Sequence, residues 1–247
     1  DIHVQSVWTE YRGAGIKVGV IDDGFDYSHV DLIKNYDTSL DRDLRTGDND
    51  ARAEAGNNHG TAVMGVIGAD DNGTGTVGVA PDATLVGLRI GYGANGSSAQ
   101  IDAALNAAAT VDVVNNSWGY STFFSDNFNW GMASSEAAII NGVATGRGGL
   151  GTSYVFAAGN GRGGGDNTNH HNFTNSIYST AVASTDSNGV VAGSSTPGAS
   201  VHVSAPGVGI LTTDIAGSGG WSGGDYVSVN GTSFAAPNVS GVIALML

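Results

Sequence analysis

Short β-branched or aromatic runs alternate with Ala-rich helical patterns along most of this chain, and no other feature constrains its fold as tightly. The runs at residues 17–21, 84–90, 111–117 and 153–158 are bounded by Gly, Asn or Asp and read as strands buried on both faces. Residues 59–69, 98–109 and 134–144 carry helical spacing. A repeated β-then-α order builds a parallel sheet with helices on either side. The expected fold is therefore α/β, three layers deep (α/β/α), with a mainly parallel central sheet. From Ile177 onward the pattern turns to strands, with a hairpin expected across residues 207–213 and 225–229. The glycine-rich stretches 146–151 and 161–165 read as ordered turns, because sheet-like segments follow closely. No linker long enough to separate domains is visible, so the 247 residues are expected to form a single domain.

Composition removes several classes of function. Cys is 0, which excludes a disulfide framework, a thiolate nucleophile and a cysteine-ligated metal. The 9 basic and 23 acidic residues give a net charge of −14. Such a field repels nucleic acid and anionic membranes and attracts cations, Ca²⁺ among them. No apolar run reaches the ~18 residues of a membrane span. The start, Asp1-Ile2-His3-Val4, has neither the charged nor the apolar region of a signal peptide, and residues 237–247 read as an apolar helix that stops without a cap. A segment trimmed at both ends from a longer polypeptide is expected.

Four short motifs could carry chemistry. Val18-Gly19-Val20-Ile21-Asp22-Asp23-Gly24 ends a buried strand in a carboxylate before a glycine turn. Catalytic groups collect at the carboxyl ends of strands in such sheets, and an Asp there can accept the Nδ1–H of a histidine. Asn57-Asn58-His59-Gly60-Thr61 puts a His at the mouth of a helix, exposed enough to act as a general base. Phe156-Ala157-Ala158-Gly159-Asn160-Gly161 ends another strand in small residues and then an amide able to donate to an oxyanion. Asn230-Gly231-Thr232-Ser233-Phe234-Ala235-Ala236-Pro237 sets a Ser beside the free N–H groups of a helix start. Each has a plainer reading alone: a turn Asp, a surface His, a left-handed turn Asn, an N-cap Ser. Together, in the order Asp, His, Asn, Ser, they form a set.

Asp-His-Ser is the order found in subtilisin. With it, and with the Gly-Thr-Ser-Phe-Ala-Ala-Pro segment, the chain resembles the subtilases, the subtilisin-like serine endopeptidases, from Val18 to its end. Within them it is similar to the kexin/furin branch, through Asp22-Asp23-Gly24, Gly146-Arg147-Gly148-Gly149-Leu150-Gly151 and Thr174-Asn175-Ser176-Ile177-Tyr178. Ser117-Trp118-Gly119 matches one wall of that branch's primary specificity pocket. The resemblance implies a subtilisin-like fold, a single peptidase catalytic domain and secretion. It makes Ser233 the nucleophile, His59 the base, Asp22 its orienting carboxylate and Asn160 an oxyanion donor. Asp23, Ser117, Trp118, Gly119, Ala157, Ala158 and Gly159 would contact substrate. The implied partners are polypeptide substrates, with a pro-segment and a C-terminal β-domain elsewhere in the polypeptide.

The resemblance also implies structural Ca²⁺, held by Asp31, nine residues after Asp22, and by Asn72 with carbonyls of the loop 70–78. A second Ca²⁺ under the specificity pocket would use Asp166. Thr122, however, replaces another of its carboxylates, and no acidic partner is found downstream. The branch prefers paired basic residues because carboxylates line its pockets. Here Thr122, His171 and Gly56 stand at three such positions. Strict arginine preference is therefore expected to be lost, with some basic preference kept through Asp23. The exception would be Asp126, in an unmatched insertion at residues 120–129, bringing a carboxylate into the pocket.

Two other functions fit the sequence less well. A nucleotide-binding loop at Gly159-Asn160-Gly161-Arg162-Gly163 lacks the full glycine spacing, and Asp22-Asp23 would repel a pyrophosphate. A non-catalytic binding module on the same fold would be expected to have lost a member of the Asp22, His59, Ser233 set, and all three are present.

Overall fold

In the computed structural model, which describes residues 2–247, the apolar runs assemble into one parallel sheet. Its strands are β1 (Lys17–Asp22), β2 (Arg42–Asp43), β3 (Thr84–Arg89), β4 (Val113–Asn116), β5 (Ser153–Ala157), β6 (Ser179–Thr185) and β7 (Val201–Pro206), in the order β2-β3-β1-β4-β5-β6-β7. Every neighbouring pair in it is parallel. The segment after Ile177 thus extends the parallel sheet through β6 and β7. Only β8 (Ile210–Thr213) and β9 (Tyr226–Val229) form the antiparallel hairpin.

The α-helices α1 (His59–Gly68), α2 (Ser98–Ala107), α3 (Ala133–Gly149) and α4 (Thr232–Met246) cover the sheet. Side chains alternate across a strand, so each apolar run feeds two cores. Val18, Val20, Val113 and Val155 pack with Met64 and Ile67 of α1 and Phe234 of α4. Ile21, Val114, Tyr154 and Phe156 pack on the other side with Leu105 of α2 and Ile139 of α3. That is the expected three-layer arrangement, and it explains why the runs read as continuously apolar.

Two local expectations meet the structure differently. Residues 146–151 do turn: Gly146, Arg147 and Gly148 leave helical geometry at the end of α3, with φ of 53° at Arg147 and 66° at Gly148. Helix α4, by contrast, starts at Thr232 and carries Pro237 inside it. Proline has no N–H for the carbonyl four residues back. That carbonyl belongs to Ser233, and it accepts from Ser117 Oγ at 2.7 Å instead. The substitution of one donor for another lets the helix run through the proline.

Strand order reverses at β1, with β3 on one side and β4 on the other. The carboxyl ends of β1, β4 and β5 are thereby adjacent, and the site is built there.

Candidate active site

Asp22, the last residue of β1, is fully buried, and three donors converge on its carboxylate. His59 Nδ1 donates to Oδ1 at 2.9 Å and lies 3.0 Å from Oδ2. The Asp23 N–H and the Tyr92 hydroxyl also donate to Oδ1, each at 2.8 Å. His59 opens α1, and the helix start comes close to β1 because residue 60 is glycine. A Cβ there would stand 2.5 Å from the Gly24 carbonyl oxygen. With Nδ1–H on Asp22, Nε2 is left to accept a proton. The imidazole sits between Phe234 and Trp221, with ring centroids at 5.5 and 6.3 Å. Burial alone would lower its pKa, but the Asp22 charge and hydrogen bond outweigh burial, and Asp23 adds to them. The net shift is upward from 6.5.

Asp23, the residue expected to contact substrate, follows β1 directly and faces the start of α1. Its carboxylate accepts the Gly60 N–H at 2.8 Å and the His59 N–H at 3.4 Å, and the residue is 7% exposed. It caps α1 from a distance, where the helix's own N-cap residue, Asn58, makes no side-chain cap bond. Burial, then repulsion from Asp22, pushes its pKa up to about 7 against the opposing pull of these N–H donors.

Ser233 is the second residue of α4, half-buried, with its hydroxyl donating to the Ser117 carbonyl at 3.2 Å. Asn160 is exposed beside it. Its amide oxygen accepts from the Thr232 N–H at 3.0 Å and the Thr232 hydroxyl at 3.2 Å, so its NH₂ is the end left for a ligand. Gly231 makes this possible: its φ of 139° is a glycine conformation, and a Cβ would come 3.4 Å from Asn160 Nδ2. Ser117, Trp118, Gly119, Ala157, Ala158 and Gly159 all line a cavity of about 510 Å³ shared with Asn160 and Ser233. These are the six pocket residues expected from the sequence.

The same cavity holds an arrangement that the sequence did not reveal. His171 lies between two carboxylates, with Nδ1 3.1 Å from Asp126 Oδ1 and Nε2 3.1 Å from Asp166 Oδ1. Asp126 therefore does bring a carboxylate to the pocket, but with a histidine already on it. Asp166 offers a second calcium only Oδ2, since Oδ1 faces His171 Nε2 and accepts the Asn167 N–H, and Thr122 supplies no carboxylate beside it.

The Asp31 site does suit a hard cation. Its buried carboxylate faces Asn72 Nδ2 at 2.9 Å and the Thr76 N–H at 3.1 Å. The Thr76 hydroxyl is buried without a partner. A carboxylate, an amide that can turn its oxygen inward and an orphaned hydroxyl make an oxygen-rich set of the kind calcium takes.

Tyr92 and Thr232 were also missed. Tyr92 follows the end of β3, the strand beside β1, and only that strand-end position could have pointed to it.

A profile of the subtilase family matches residues 13–247. By sequence the chain is similar to the dibasic-processing endoprotease of Schizosaccharomyces pombe, 33% identical over 264 residues that take in 100% of this chain and 35% of that protein. Human furin is 32% identical over 259 residues, with 100% of this chain and 32% of furin covered. Candida albicans kexin is 34% identical, over 100% of this chain and 26% of kexin. The chain thus spans about a third of the curated relatives it matches. In structure it resembles the serine protease of Aeromonas sobria, with a TM-score of 0.83, 28% identity and coverage of 95% of this chain and 48% of that one. A cold-adapted subtilisin-like serine proteinase superposes with a TM-score of 0.76, at 26% identity, over 96% of this chain and 77% of that one.

Proposed function

This chain belongs to the subtilase family, and we propose that it is the catalytic unit of a serine endopeptidase that cleaves polypeptides through an acyl-enzyme on Ser233. The observation that carries the reading is the Asp22–His59 pair. It fixes the imidazole with Nε2 free, in a cleft that Ser233 and Asn160 also line. A serine hydroxyl is a weak nucleophile until a neighbouring base takes its proton. For that, Ser233 Oγ must leave the Ser117 carbonyl and turn to His59. The proton passes to Nε2 as Oγ bonds to the substrate carbonyl carbon. The carbonyl oxygen gains negative charge and meets the Ser233 N–H and the Asn160 NH₂. Asp22 stabilises the imidazolium, which then protonates the departing amine as the C–N bond breaks. Water repeats the sequence on the ester and restores Ser233.

Asp31, Asn72 and Thr76 would hold a calcium ion that ties the loop after α1 to the body of the protein. Bound there, the ion supplies rigidity and no part of the chemistry. Secretion is part of the proposal, and outside the cell even a weak site, with a Kd of roughly 10⁻⁴–10⁻³ M, would be filled. The greater length of the curated relatives supports a pro-segment and a further C-terminal domain in the whole polypeptide.

The test is hydrolysis of casein by the full-length protein. Ser233→Ala should abolish it to within background. Asn160→Ala should lower kcat by about 10²–10³ with little change in KM, a magnitude carried over from subtilisin. Parent-rate cleavage by Ser233→Ala would refute the proposal.

A further inference from the structure

We propose that His171 sets the specificity of the pocket by standing between the two carboxylates at its end and blocking one oxygen of each, so that the residue on the acyl side of the cleaved bond is large and apolar rather than arginine or lysine. The inference rests on the peptidase reading above and names the substrate class of that same site. The pocket contains two aspartates, and their presence alone would favour a basic side chain. Their surroundings decide otherwise. Asp126 is 1% exposed, and both its oxygens have partners: His171 Nδ1 at 3.1 Å on Oδ1 and the Phe173 N–H at 3.2 Å on Oδ2. Asp166 Oδ1 faces His171 Nε2 at 3.1 Å and accepts the Asn167 N–H at 2.7 Å. His171 itself is 6% exposed, held in place from both sides.

A guanidinium binds a carboxylate well when two acceptor oxygens are free to take its paired N–H groups. Here Asp166 Oδ2 is the one oxygen of the pair of carboxylates without such a partner. An entering arginine or lysine would have to displace the imidazole or leave most of its donors unpaired in a buried place, which is unfavourable. The remaining wall is aromatic. Trp118, Tyr120, Phe123 and Phe173 line the cavity, and Trp118 meets Phe173 edge to face at 5.3 Å. Aromatic walls of this kind suit a phenylalanine, leucine or methionine side chain.

The experiment compares peptides that differ only at the cleaved residue, using the full-length protein. Phenylalanine or leucine is expected to give a kcat/KM at least tenfold above arginine and lysine. His171→Ala takes the imidazole off Asp126 Oδ1 and Asp166 Oδ1 and opens the space between them, and the ratio should then move at least tenfold toward arginine. An arginine or lysine preference in the unaltered protein would overturn the inference, whether or not the variant folds. An unchanged ratio in a folded His171→Ala protein would overturn it as well. Failure of the peptidase reading looks different: no peptide of the series is cleaved and a fluorophosphonate leaves Ser233 unlabelled, which removes the inference together with its basis.

Discussion

Two side chains that flank the Asp22–His59 pair should tune it in opposite directions. Activity requires neutral His59, whose pKa is raised above 6.5, so kcat/KM should fall as pH drops through a value above 6.5. The Asp23 charge contributes to that rise, and Asp23→Asn can still accept the Gly60 N–H through its amide oxygen. This variant should move the acid limb down by about half a unit. The Tyr92 hydroxyl draws on the same carboxylate from another side. Tyr92→Phe leaves more of the Asp22 charge to His59 and should move the limb up by a similar amount. Shifts of the same sign in pH–rate profiles would contradict this account. Asp23 also bears on stability. Its folded pKa of about 7 exceeds an ordinary carboxylate's, so the folded protein keeps a proton that the unfolded chain gives up. Stability should fall as pH rises from about 4 to about 7, and Asp23→Asn should flatten that slope in denaturant titrations. At this scale the sequence was legible where a local motif names a role, as at Ser233 and His59. It was not legible where a partner lies far along the chain. The bond from Asp23 to Gly60 spans 37 residues, and that between His171 and Asp126 spans 45.

Among the elements, the strands were the easiest to read, because a strand buried on both faces must be apolar along its length. Helix α4 shows the opposite case. Pro237 argues locally for a helix that begins at the proline. Its true start at Thr232 depends on Ser117, 116 residues away, supplying the bond that proline cannot make. The loop after α1 is a further element whose order is set from outside it, since Asn72 and Thr76 both reach the buried Asp31. If calcium joins them, it binds the folded state alone and stabilises it. At a calcium concentration about 100-fold above Kd that amounts to about 2.7 kcal/mol, visible as a rise of several degrees in Tm over the same protein in chelator. Asp31→Asn should remove most of the difference. Equal melting temperatures with calcium and with chelator would contradict calcium binding at this site.

For the whole molecule, the carboxyl end of one parallel sheet gathers four distant segments: Asp22, His59, Asn160 and Ser233 are separated by up to 211 positions in sequence, counted from residue 22 to residue 233. Among the described residues no helix is long and apolar enough to cross a membrane. The net charge of −14 is consistent with a solvated acidic surface that attracts cations. The central claim is that this assembly turns Ser233 into a nucleophile through His59. Its most direct measurement is mass mapping of the full-length protein after treatment with a fluorophosphonate. A single adduct on the peptide containing Ser233 is expected, formed rapidly in the parent and at least a hundredfold more slowly in His59→Ala. A folded parent protein with no adduct at Ser233, or one labelled at the same rate without His59, would contradict the claim.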